Sequence, residues 1–142
     1  MGKRLLFAAV VAPPVGAIVA CLGFLATGAL VLVPMGESPD VTASFTHWLA
    51  FYLMLGLPLA YVVESIALAM HRSPTRIAQL RLPRILLGAA VLGGVMVFAV
   101  WGAIFGLSFG LMTLPSGILG GATAGAAFWL VGVRAGRVTP AI

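Results

Sequence analysis

Apolar residues run along this chain in four long blocks, separated by short stretches where polar or turn-forming residues gather. The blocks extend from about Leu5 to Val33, Ser44 to Met70, Ile85 to Met112 and Pro115 to Val133. A helix needs about 20 residues to cross a hydrocarbon core of roughly 30 Å, and each block meets that length. None alternates strictly between apolar and polar positions, as a membrane barrel strand would. Lipid offers no partner to an unpaired backbone group, so the blocks must be helices. The pattern predicts an all-α membrane protein, a four-transmembrane-helix bundle forming a single domain over residues 1–142, with helices at about 5–33, 44–70, 85–112 and 115–133.

Prolines punctuate the pattern. Ser38-Pro39 and Ser73-Pro74 each place a capping serine before a proline, a common helix start. Pro83 precedes the third block, and Leu114-Pro115 reads as the start of the fourth. Pro13-Pro14 falls inside the first block and should kink it. A span of that length absorbs a kink and a tilt.

Composition strengthens the membrane reading. Residues are 62% hydrophobic and 8% charged, against roughly 45–50% and 25% in soluble domains. A 142-residue globule could not hide that much apolar surface from water. The formal charge of +5 would suggest nucleic acid in a soluble protein. Here, though, Lys3, Arg4, Arg72, Arg76, Arg81, Arg84, Arg134 and Arg137 all lie at or beyond the ends of the blocks. In a four-span arrangement they share one side, while Glu37 and Asp40 fall on the other. The positive-inside rule makes the basic side cytoplasmic, with both termini there.

Lys3-Arg4 before an apolar run, and Ile18-Val19-Ala20-Cys21 further on, resemble a lipoprotein leader and its cleavage box. The apolar run continues from Leu22 to Val33, which fits a first span better than a leader. Cys21 is the sole cysteine, so no intramolecular disulfide can form.

Catalytic, metal and nucleotide constellations are missing from the sequence. His47 and His71 stand at opposite ends of one block, about 36 Å apart on a helix. With one cysteine they provide no zinc site, so no metal or cofactor is expected. There is no phosphate-binding loop, no dinucleotide fingerprint and no nucleophile elbow. The expectation is a protein that is not an enzyme.

Three features carry what signal remains. Gly102, Gly106 and Gly110 recur every four residues in the third block, and Gly117, Gly121 and Gly125 in the fourth. Ala12, Gly16 and Ala20 make a weaker set in the first. Such faces let helix backbones approach closely, within one bundle or against a partner. Glu64 is the acidic residue inside a block, and an ionisable group there usually faces the interior or a cavity. Tyr61 and His71 are placed to share its face, and Pro58 breaks the helix just before it. Glu64 could bond a neighbouring hydroxyl or carbonyl, touch a partner, or serve ion or proton movement, as carboxylates beside broken helices do. The basic loop with Arg72, Arg76, Arg81 and Arg84 suits anionic lipid headgroups or an acidic partner. Trp48, Tyr52 and Trp129 are placed for interfacial belts, and Trp101 for packing between helices.

At Gly56-Leu57-Pro58, Gly88-Ala89-Ala90-Val91-Leu92-Gly93 and Gly125-Ala126-Ala127-Phe128-Trp129, the chain resembles small four-span bacterial membrane proteins, some of them immunity proteins. The resemblance implies a bacterial inner-membrane location and transfers no active site. The resulting expectation is a non-enzymatic accessory, assembly or immunity-type protein. It would act through helix packing with a membrane-protein partner or with copies of itself, among membrane lipids and without nucleic acid. The alternative is a small transporter or channel subunit using Glu64 near the Pro58 break. An enzyme acting on lipid or quinone comes third.

Overall fold

The structure, a computed structural model, describes residues 2–32, 41–70 and 81–134. Helix α1 covers Gly2–Leu32. The second span is made of α2 (Val41–Phe51), a π-turn (Tyr52–Gly56) and α3 (Leu57–Met70). Helix α4 covers Leu82–Phe105. Helix α5 (Leu107–Phe128) continues into a π-helical end, Trp129–Arg134. Four helices are therefore long and apolar enough to cross a membrane, and no strand occurs among the described residues.

Helix α5 is the hub. It runs antiparallel to α4, and every four residues forward on α5 match four residues back on α4. Thus Gly117 meets Gly93, Gly121 meets Ala89, and Gly125 meets Ile85. These positions work because they lack side chains. A Cβ on Gly121 would strike the Ala89 carbonyl, and one on Gly117 would lie 2.6 Å from the Gly93 carbonyl oxygen. A second glycine contact joins α5 to α1, where a Cβ on Gly16 would lie 2.7 Å from the Gly120 carbonyl oxygen. Such close backbone approach replaces the hydrophobic drive that lipid does not supply.

The boundary between third and fourth helices corrects the sequence reading. The expected break at Met112–Pro115 is absent, and the chain turns at Gly106 alone, between Phe105 and Leu107. Gly106 has φ +97°, a conformation L side chains rarely adopt. Gly102, Gly106 and Gly110 therefore do not form one helix face. Gly102 and Gly110 oppose each other across the turn, and a Cβ on Gly110 would lie 2.9 Å from the Gly102 Cα. Pro115 lies inside α5. Beside it, Thr113 Oγ1 donates to the carbonyls of Phe109 (3.1 Å) and Gly110 (3.0 Å), and Ser116 Oγ donates to that of Thr113 at 2.6 Å. These bonds satisfy the two hydroxyls within their own helix, as lipid would not. Pro13 and Pro14 likewise sit inside a continuous α1.

Two apolar clusters anchor the bundle at its two ends. Leu5, Ala8, Ala9, Ala12, Phe128 and Val133 pack at the end where α1 and α4 begin. Lys3, Arg4, Arg81, Arg84 and Arg134 belong to this end, here called the basic end. At the opposite end Phe24, Trp48, Phe51, Tyr52, Trp101, Phe105 and Phe109 form an aromatic cluster, with ring centroids from 4.7 Å (Phe24–Trp48) to 6.5 Å (Phe51–Phe105) apart. Trp101 packs between helices as its position suggested. Trp48 and Tyr52 also pack against rings of other helices, because α1, α4 and α5 all offer rings at that level.

Candidate functional site

The second span meets the rest of the bundle unevenly. At the aromatic end α2 is held by stacked rings and by a hydrogen bond between Tyr52 and Ser116. Past the π-turn, α3 packs against α1 and has no comparable contact with α4. Pro58, in the first turn of α3, contributes no backbone N–H. The widened turn Tyr52–Gly56 lies immediately before it, and π-turns often mark functional positions.

The separation of α3 from α4 leaves a cavity of about 450 Å³. Its floor is the small-residue surface of α5 (Gly117, Gly120, Gly121) and of α1 (Gly16, Ala20), where tight backbone packing leaves no side chain to fill the space. One wall is Leu55, Ala60 and Glu64 of the second span; the other is Gly88, Leu92 and Met96 of α4. Tyr52 and Trp101 close it at the aromatic end, while Glu64 and Arg84 flank it toward the basic end. Measured along α4 from Ile85 to Trp101, it is about 24 Å long at 1.5 Å per residue. Apart from Glu64, Arg84 and the Tyr52 hydroxyl, its lining is apolar.

The predicted polar site is only partly assembled. Glu64 is half-buried on the cavity wall and makes no hydrogen bond or ion pair with any described residue. The hydroxyl or carbonyl partner expected for it is not among them. Tyr61 turns away from the cavity, and its hydroxyl donates to the Val10 carbonyl of α1 at 2.8 Å. Three residues on a helix differ by about 60° in direction, enough to send Tyr61 to α1 and Glu64 to the cavity. His71, Arg72 and Arg76 lie outside the described residues. Arg81 and Arg84 are exposed at the start of α4, and Arg84 lies at the cavity edge.

The glycines resolve differently. Gly117, Gly121 and Gly125 are spent on α4, and Gly102 and Gly110 on each other, so these faces close within the chain. The contributions of Gly16, Gly93 and Gly120 to the same contacts are larger than their spacing announced. Gly88 is the contrary case: a Cβ there would meet nothing within 4 Å, because it faces the cavity. No group of three or more potential metal-ligating side chains gathers among the described residues.

No protein-family model matches the chain, and neither a curated protein nor a solved structure matches it.

Proposed function

We propose that this chain is a non-enzymatic integral membrane protein of accessory type, lying in a bacterial inner membrane with both termini cytoplasmic. Its working part is the cavity between the second and third spans, which receives the hydrocarbon chain of an amphiphile. The observation carrying this reading is the cavity's lining. Over about 24 Å along α4 its walls are apolar apart from Glu64, Arg84 and the Tyr52 hydroxyl, an elongated apolar surface suited to an extended hydrocarbon chain. The length also suffices, since one leaflet's chains reach about half of a roughly 30 Å core.

Docking of a partner or a second copy through the glycine faces would need those faces open, and they pack against each other instead. The accessory role is therefore assigned to the cavity. The gathering of the described basic residues at one end supports the orientation, because such residues favour the cytoplasmic side. Native mass measurement after extraction in mild detergent tests the reading. One phospholipid retained per chain is expected, and its loss in Ala60→Phe, where a ring would fill the cavity. A wild-type chain stripped of all lipid under conditions that keep it folded would contradict it.

A specific observation favours a second reading, that of a small transporter or channel subunit. The cavity holds a carboxyl with no partner among the described residues toward one end and is stoppered by aromatic rings at the other. A pathway closed on one side is half of an alternating-access cycle. Proton flux into vesicles that disappears with Glu64→Gln would establish this version, and equal flux in both chains would end it.

A further inference from the structure

We infer that the cavity selects an amphiphile with a zwitterionic head bearing a primary amine, namely an aminophospholipid of the ethanolamine type. This rests on the cavity reading above and adds the chemistry of the head to that of the chain. Two opposite charges border the cavity from facing spans, Glu64 on α3 and Arg84 on α4. They do not pair with each other, and neither side chain has a hydrogen-bond or ion-pair partner among the described residues. Both border the same end of the cavity, and the rest of its lining is almost wholly apolar.

An ionisable side chain at this depth is costly unless something compensates it. A head carrying both signs compensates both residues at once, with the phosphate on the Arg84 guanidinium and the ammonium on the Glu64 carboxylate. Each contact is a charge-assisted hydrogen bond. A primary ammonium brings three N–H donors to the carboxylate. A quaternary choline head brings charge without donors. A glycerol head brings the phosphate and two neutral hydroxyls, which can donate to Glu64 but supply no positive charge to balance it. The order of preference is therefore ethanolamine over choline over glycerol. The apolar chain continues along Gly88, Leu92 and Met96 toward Trp101.

The test is lipid competition on the full chain. Purified protein is exposed to equal amounts of phosphatidylethanolamine, phosphatidylcholine and phosphatidylglycerol with identical acyl chains, and retained lipid is counted by native mass spectrometry. The wild type should retain the ethanolamine lipid about tenfold over the glycerol lipid, the scale of one charge-assisted hydrogen bond. Glu64→Gln should collapse that preference to about twofold or less, because the neutral amide loses the ion pair. Arg84→Gln should weaken retention of all three lipids by a similar factor, because all carry the phosphate. Lipid retained without headgroup preference in the wild type would overturn this inference and leave the cavity reading standing. A glycerol-over-ethanolamine preference would overturn it too, and no retained lipid at all would remove both. The wild-type comparison alone decides the point, so it does not depend on how well either variant folds.

Discussion

Tyr52 and Ser116 share a buried hydrogen bond of 3.2 Å that joins the second span to the fourth. Its direction follows from the neighbouring contact. Ser116 has a single hydroxyl hydrogen, and it points to the Thr113 carbonyl at 2.6 Å. The Tyr52 hydroxyl is therefore the donor. Both residues are at most 3% exposed, so no water stands ready to replace a lost partner. This bond, with the aromatic cluster around it, is what holds one end of the second span while the other end stands off from α4.

The asymmetry of that bond gives the first prediction. Ser116→Ala strands the Tyr52 donor and should cost about 1–3 kcal/mol, the penalty for a buried unsatisfied group. Tyr52→Phe removes the donor itself and should cost less. The double variant should be less destabilised than the two single changes added together, because the stranded group is gone. Denaturant unfolding in detergent micelles, followed by tryptophan fluorescence, measures all three.

A second prediction separates glycines that pack from glycines that line space. Gly121→Ala places a methyl against the Ala89 carbonyl and should cost at least the 1–3 kcal/mol typical of overpacking. Gly88→Ala points into the cavity and should change stability by no more than about 0.5 kcal/mol, apart from a small propensity gain. Gly106→Ala should be destabilising for another reason, since its φ of +97° costs any L residue about 1–3 kcal/mol. Equal stability of the Gly121 and Gly88 variants would mean that α4 and α5 are not in this register.

The sequence made the spans legible and hid their joints. Four apolar blocks were plain because lipid demands length and hydrophobicity, and these are local properties. The turn at Gly106 lay between Phe105 and Leu107, with Ser108 alone nearby to lower the local hydropathy, so Pro115 drew the boundary instead. That proline nevertheless lies inside an unbroken α5, since a proline in an apolar helix is a bend or an irregularity as readily as a boundary. Glu64 could be singled out as an acidic residue inside a span, and its cavity could not. A cavity arises where two helices fail to meet, and the gap between α3 and α4 depends on how tightly Gly16, Gly93 and Gly120 draw the other helices together. The aromatic cluster was equally hidden, since Phe24, Trp48, Trp101 and Phe109 converge from four helices.

Trp129 supplies a third prediction. Its indole Nε1 is buried without a hydrogen-bond partner among the described residues. The Arg134 guanidinium lies 5.9 Å from its ring centroid. Trp129→Phe removes the unsatisfied donor, worth about 1–3 kcal/mol. It keeps an aromatic face for Arg134 and weakens a contact of about 0.5–1 kcal/mol. The net effect should be neutral to stabilising, which is unusual for a half-buried tryptophan. A thermal melt of the variant in detergent checks it, and a clear loss of stability would show that the indole nitrogen is satisfied after all.

The account's central claim is that a hydrocarbon chain occupies the space between α3 and α4, and Trp101 is placed to report it. That ring closes the cavity and is only 4% exposed. The measurement is Trp101 fluorescence in bilayers of lipids brominated near the chain end, with Trp48 and Trp129 replaced by phenylalanine. It is made with and without Gly88→Leu, a side chain that obstructs the cavity from an open position. Strong quenching that Gly88→Leu abolishes is the predicted result. Quenching that is absent, or that persists unchanged when the cavity is obstructed, would contradict the claim.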